Sequence, residues 1–438
     1  MKTRYINWFF VAALAVMGCL MTACEDQPDK YEIADGVPTL KYVRSPLPEE
    51  ADSLLVGAYL GNTVCLVGDN LRSIYELYFN DQKATLNTSY MTDHTILVDI
   101  PKNIPEEVTN KIYMVTKSGA KVDFDFNVMV PAPVVSSMSC EYAPAGSEAV
   151  LYGDYFVDDP NVPLTISMPG DITVEGEQIT SITKTAIKFI VPVGAVQGNI
   201  RVKSIYGTGQ SVFQYKDTRN ILFDWDGKYE GALAAGNSWK GDNEKKGQIL
   251  ASVPSVDNNY MVLGTTFLSG GQWDTPEEYI MRYWPDLNAT EGCVPLYDLP
   301  QFKEMLEDYT IEELALKFEV YVPTSNPWMA EGMQIMFTSL DEASIQKHNT
   351  DYLYQTETPR GVWVPWEETG SYDTGDQWVT VTLKMSEFNK QLSGVVSETE
   401  FTKEKLAGLS IFLRGGGVDG KECEPIICID NIRVVPVE

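Results

Sequence analysis

The chain has 438 residues, with 62 acidic side chains against 33 basic ones and a formal charge of −29. That balance argues against a nucleic-acid partner, which needs clustered Lys and Arg to displace counterions, and against lying flat on an anionic membrane. A neutral polymer is not repelled, and the repulsive surface suits an exported, monomeric protein.

The N-terminus reads as a targeting segment. Lys2 and Arg4 precede an apolar run too short to stay in a bilayer. Leu20-Met21-Thr22-Ala23-Cys24 follows and resembles a bacterial lipobox, with Cys24 as the lipidated first residue of the mature chain. Cys19 is a competing cleavage point. Glu25 and Asp26 favour Cys24, because an acidic pair after the lipidated cysteine resembles the surface-export signal of Bacteroidetes lipoproteins. Residues 1–23 are thus a signal peptide and 24–35 an acidic tether.

Past Cys24 the cysteines are Cys65, Cys140, Cys293, Cys423 and Cys428, odd in number and scattered. They do not make a disulfide framework, although Cys423 and Cys428 are close enough in sequence to bridge. The two histidines, His94 and His348, lie near no cysteine pair, so no zinc site is expected.

From residue 36 the strand signal dominates: runs of Val, Ile, Thr, Tyr and Phe separated by Gly, Pro, Asn and Asp. A pattern repeats with a period of roughly 85–95 residues. The first copy runs through Val37-Pro38, the buried Cys65 strand ending in Gly68-Asp69, and Ile100-Pro101. The second runs through Ala132-Pro133, Gly153-Asp154 and Val191-Pro192. Each Gly-Asp pair is expected to turn the chain, and each late Pro to end a strand. At these residues the repeat resembles the IPT/TIG immunoglobulin-like domain, a common spacer. Its copies fall at 36–130 and 131–217, with Pro131-Ala132-Pro133 stiffening the joint.

Residues 218–438 are too long for a third repeat. Strands are expected around 315–322, 334–338, 378–383, 408–413 and 426–435, and short helical stretches at 299–306, 310–313 and 401–406. Two packed antiparallel sheets, a jelly-roll-like sandwich, is the natural architecture. The whole chain is therefore expected to be all-β: two immunoglobulin-like sandwiches followed by a larger β-sandwich.

Eight of the nine tryptophans lie after residue 224. Phe318, Phe337, Phe388 and Phe412 sit inside periodic strands and read as core; Trp225 and Trp378 read as structural. Trp239, Trp273, Trp284, Trp328, Trp363 and Trp366 fall in irregular stretches. A loop indole can match the apolar C–H face of a pyranose at little entropic cost, with polar groups at the rim for the hydroxyls. Trp363-Val364-Pro365-Trp366 is the best cluster, with Arg360, Glu367, Glu368 and Asp373 nearby. The expected glycan contacts are Trp363, Trp366, Trp328, Arg360, Trp284 and Trp273, the indoles standing open to water, with the packing of one of Trp363 and Trp366 against the sheet edge as the alternative.

With Cys24-Glu25-Asp26, the two repeats, Trp363-Val364-Pro365-Trp366 and Asp430-Asn431-Ile432-Arg433-Val434 in place, the chain resembles the Bacteroidetes surface glycan-binding proteins encoded beside SusC/SusD-type transporters, in the SusE/F-like position. The resemblance implies an outer-membrane lipoprotein facing the cell exterior. It would hold a plant-type polysaccharide such as xyloglucan or another β-glucan, and would work with a SusC/SusD-like complex.

A jelly-roll glycoside hydrolase is the enzymatic alternative. It needs two carboxylates at a defined separation, and no such strand motif is present, so no catalytic residue is assigned. A protein-binding surface adhesin is the other alternative. No cofactor or metal is assigned. The oxygen-rich loop at Asp154, Asp158, Asp159 and Asn161, and Asp224 with Asp226, would suit a structural calcium, but solvated turn acids are the plainer reading.

Overall fold

The computed structural model describes residues 33–236, 245–272, 275–285, 294–342, 353 and 358–437. The signal segment, Cys24, most of the tether, Trp239, Trp273, Cys293 and His348 lie outside them. The protein is all-β and divides into two compact units, Met1–Pro131 and Ala132–Glu438.

The first unit is a sandwich of two four-stranded sheets. One is built on Thr39–Arg44, Thr63–Asp69 and Thr95–Asp99, the other on Ile74–Phe79, Lys111–Thr116 and Lys121–Asp125. The alternating apolar residues of these strands, among them Val64, Leu66, Leu77, Ile96, Ile112 and Met114, fill the space between the sheets. Cys65 is a buried strand thiol.

The Gly-Asp landmarks do not turn the chain as expected. Gly68 and Asp69 still belong to the strand Thr63–Asp69, and Gly153 and Asp154 to Glu148–Asp154. Glycine is required there because the preceding strand bulges inward in each copy, between Leu40 and Tyr42 and between Val135 and Ser137. A Cβ at Gly68 would lie 2.0 Å from the Thr39 carbonyl oxygen, and one at Gly153 1.8 Å from that of Val134. The repeated glycine marks a close backbone approach rather than a turn.

In the second unit the immunoglobulin-like module runs from Val134–Met138 to Gly207–Tyr215. The C-terminal sandwich follows. Its first sheet orders Ile221–Phe223, Ile426–Pro436, Leu314–Tyr321 and Val379–Lys384, with Met261–Gly264 also paired to the closing strand. Its second sheet orders Ile280–Tyr283, Gly408–Leu413, Met333–Thr338 and Gly361–Trp363. Phe318, Phe337 and Phe388 are buried between the sheets with Leu316, Ile335, Ile411 and Ile429. Phe412 is also buried, but on the outer face of the second sheet, with Ile280, Met336 and Leu353. The helix Pro300–Asp308 and the capped turn Ile311–Glu313 sit where expected.

The second module and the C-terminal sandwich share a core. Val135, Tyr142 and Tyr215 of the module cluster with Val256, Tyr260, Tyr321, Trp378 and Cys428. Alternation along the closing strand, reset by a bulge at Asp430 and Asn431, explains the division: Ile427, Ile429, Ile432 and Val434 face the sandwich interior, while Cys428 faces the module. Cys423 and Cys428 are free thiols in different clusters, so the bridge their sequence proximity allowed does not form.

Charged groups are sealed into the same joint. Arg433 is fully buried and donates through Nη1 to Glu319 Oε2 (2.8 Å), and through Nη2 to Glu319 Oε1 (3.0 Å) and Glu141 Oε2 (2.7 Å). Lys317 donates to Glu141 Oε1 (2.6 Å), and Thr380 Oγ1 to Glu319 Oε1 (2.9 Å). Backbone bonds cross as well: the Glu141 N–H donates to Thr380 Oγ1, and the Thr380 N–H to the Ser139 carbonyl. Burial pushes the Glu319 carboxyl up to about 7, against the lowering effect of the Arg433 guanidinium beside it. Two cations and two carboxylates balance. Asp430, also buried here, has no cation opposite it among the described residues. Burial, and then the neighbouring Asp257, push it up to about 10, so it is a neutral acid at physiological pH.

Candidate glycan-binding site

One end of the C-terminal sandwich gathers the Trp328, Trp363 and Trp366 segments, whereas Trp284 follows Tyr283, paired with Leu409, at the other end of the second sheet from Trp363, paired with Met333 opposite Leu413. The focus is Glu331, a buried residue in the left-handed region at φ 58°, a conformation a non-glycine residue holds only when its surroundings enforce it. Its carbonyl accepts the indole N–H of Trp328 (3.1 Å) and of Trp366 (3.1 Å). Its carboxylate accepts the backbone N–H groups of Gln272 (3.3 Å) and Gly415. One residue thus ties the Trp328 loop, the Trp366 loop and the segment leading into Trp273 to the end of the sheet. Burial raises the Glu331 carboxyl and these backbone donors lower it. A carboxylate so engaged is a loop clamp, not a free general acid.

The expectation that all the rings stand open to water is corrected here. Trp328 is fully buried, with Nε1 also donating to the Ala330 carbonyl (2.6 Å). Trp366 is buried beneath Gly420, where a Cβ would lie 2.7 Å from the indole. Arg360 is fully buried as well. It is spent on the carbonyls of Thr358 (3.0 Å) and Leu353 (2.9 Å), and burial pulls its guanidinium down to about 10. The physical reason is common to all three. Trp328 and Arg360 are themselves bridged, to Tyr372 and Lys390, Trp366 lies in the turn after the strand Gly361–Trp363, and each has a polar tip that finds a backbone carbonyl. Trp225 and Trp378 are buried, as read from the sequence.

Trp363 and Trp284 are only half-buried. Trp363 ends the strand Gly361–Trp363 and meets Trp328 (5.5 Å), Phe318 (5.8 Å) and Tyr372 (5.6 Å) edge to face. Three edge-on rings fix its orientation, so Trp328, Phe318 and Tyr372 act as its socket. Val364 and Pro365 beside it are half-buried, and Glu367, Glu368 and Asp373 are exposed. Trp284 directly follows the strand Ile280–Tyr283.

Two features escaped the sequence reading. Phe267 is 51% exposed, the one aromatic ring of the described C-terminal residues that is more than a third exposed. It follows two threonines in a stretch without tryptophan. The second is a polar row on the outer face of the second sheet: Arg282 opposite Ser410, with Gln334 and Thr338 on the next strand, all buried. The period-2 alternation in Met333–Thr338 could have revealed it.

Residues 215–436 match the family model of the surface glycan-binding protein B xyloglucan binding domain. The chain belongs to the surface glycan-binding protein B family. A solved surface glycan-binding protein B from Prevotella bryantii is 38% identical, covers 92% of this chain and 100% of its own, and superposes with a TM-score of 0.79. A surface glycan-binding protein B from a complex xyloglucan utilization locus of Bacteroides uniformis is 18% identical over 92% of this chain and 100% of its own, with a TM-score of 0.42. An IPT/TIG domain-containing protein of Bacteroides ovatus is 25% identical over 182 residues, 40% of this chain and 36% of that relative, so the match spans about a third of the relative's length. The members of this family are cell-surface glycan-binding proteins, and the matched segment is the tryptophan-bearing one.

Proposed function

We propose that the chain is a non-catalytic capture protein. On this reading its C-terminal domain holds a plant-type polysaccharide, xyloglucan or another β-glucan, at the outer surface of the cell. The observation that carries the reading is the family match over 215–436, which falls on the domain where the Trp363 socket lies. The half-buried ring of Trp363, with exposed Phe267 and the segment entering Trp273, is the surface on which sugar faces would stack, and Trp284, at the other end of the sheet, stands apart from it. Trp328, Trp366 and Arg360 support the site without touching the chain. Exposed Glu367, Glu368 and Asp373 supply rim acceptors for hydroxyls. A lipid on Cys24 anchors the protein in the outer membrane, the immunoglobulin-like modules hold the site away from the bilayer, and the captured polymer passes to a SusC/SusD-type transporter.

Retardation in native gels cast with a panel of polysaccharides tests this. Wild type is slowed by xyloglucan or mixed-linkage β-glucan. Trp363→Ala loses at least about tenfold in affinity, the scale of one good stacking contact, while its melting temperature stays within a few degrees of wild type. No retardation on any glucan would refute glycan capture. Release of new reducing ends would refute the non-catalytic assignment.

A further inference from the structure

The first immunoglobulin-like unit carries a cleft that the spacer role does not use. The strand Thr95–Asp99 is the edge of one sheet and the short strand Gln82–Lys83 the edge of the other. Between the open edges lies a cleft of about 790 Å³, within the size range of small-ligand sites. Its apolar wall is Leu97, Ile100 and Pro101. Tyr90 stands at its lip, 58% exposed, and packs against no other ring among the described residues.

Tyr90 is held by a single helical turn, Thr88–Tyr90. Asn87 caps that turn by accepting the Ser89 N–H at Oδ1 (3.0 Å). The Asn87 amide N–H groups are left to donate into the cleft it lines. Lys83, Lys102 and Asn103 add donors, and Asp99, bonded to the Thr63 hydroxyl, keeps acceptor capacity. Met91 bridges the outer edge of the strand Thr95–Asp99 at Ile96, so backbone groups are open only toward its Asp99 end. Lys83 is already paired with Glu76 (2.6 Å), so the lining has little net charge.

We propose that this cleft is a second, weaker glycan site that takes a short run of the same neutral glucan. The occupant follows from the lining and the whole-chain charge. A flat ring over an apolar wall suits a pyranose face, amides and hydroxyls suit sugar hydroxyls, and a chain of charge −29 disfavours a polyanion. A long polymer held by the C-terminal domain meets the cleft at high effective concentration, so even a site too weak to act alone adds to retention. The inference rests on the reading of the C-terminal domain as glycan-binding.

The test uses the full chain, wild type and Tyr90→Ala, with Tyr90→Phe as the conservative control. In gels containing xyloglucan polymer, Tyr90→Ala should bind about 3–10-fold more weakly and Tyr90→Phe like wild type. A titration of tryptophan fluorescence with a xyloglucan-derived oligosaccharide reads only the C-terminal domain, because residues 9–224 contain no Trp. That titration should be unchanged in Tyr90→Ala. Wild type and Tyr90→Ala retained equally by the polymer would overturn the second site and leave the C-terminal reading standing. No response of wild type in either assay would overturn both.

Discussion

Glu141→Gln asks most of the joint between the second module and the C-terminal sandwich. Glu141 is 2% exposed and accepts from Arg433 (2.7 Å) and Lys317 (2.6 Å). The amide keeps the shape and removes the charge, leaving two cations against Glu319 alone. Arg433 retains its two bonds to Glu319; Lys317 loses its carboxylate. Removing one partner of a buried ion pair costs about 3–5 kcal/mol. The Lys317 side chain is 11% exposed and can lift its ammonium toward water, which places the expected loss at the low end, about 3 kcal/mol. Urea unfolding followed by Trp fluorescence reads the sandwich, and amide exchange over residues 132–217 reads the module. In wild type the two should move together. In Glu141→Gln the module should open first. A loss below about 0.5 kcal/mol, the size of an ordinary surface substitution, with the two probes still coincident, would show that apolar contact alone holds the joint.

Further outcomes are expected elsewhere. Asp430 is neutral when folded and would ionise on unfolding, since its folded pKa is raised from 3.8 to about 10. Across that window the unfolded state binds fewer protons, so this group makes stability fall as pH rises, by up to about 1.4 kcal/mol per pH unit. Asp430→Asn should remove that slope and raise the melting temperature at pH 8 but not at pH 4; an unchanged slope would mean that the carboxyl is ionised when folded. Trp328→Ala empties a fully buried site and should cost about 3–5 kcal/mol, weakening glycan binding through disorder of Trp363, whereas Trp363→Ala should weaken binding with little unfolding. Gly153→Ala should destabilise the second module by at least about 1–3 kcal/mol, because the new methyl meets the Val134 carbonyl; a neutral result would mean that the bulge relaxes freely. The thiols of Cys423 and Cys428 should resist a thiol reagent until the domain unfolds, because both are buried.

The strands, the repeat and the aromatic core positions were legible because each is a local pattern. Alternation in Leu314–Tyr321 and the run in Gly408–Leu413 state which side faces inward. The fate of the tryptophans was not local. Trp363 and Trp366 are three residues apart, one ending a strand and the other in the turn after it, yet one is half-exposed and the other is sealed beneath Gly420, a residue distant in sequence. Trp328 looked like a loop residue and is core because Tyr372 bridges to it on both backbone sides at 2.9 Å. Nor does composition mark Glu331 as the clamp; that follows from a backbone conformation and from donors at Gln272 and Gly415. Phe267 carries no local mark, since a single phenyl after two threonines has the same pattern whether it is buried or exposed.

The shared core of the second module and the sandwich changes what counts as an interchangeable part. Sequence repetition suggests a cassette ending near residue 217, ready to be duplicated or swapped. A cut there would lay bare Tyr260, Trp378 and Cys428 and strand the Arg433 guanidinium without one of its two acids. A hybrid built from this molecule should be spliced at Pro131, taking the second module along with the sugar-binding end as a single graft.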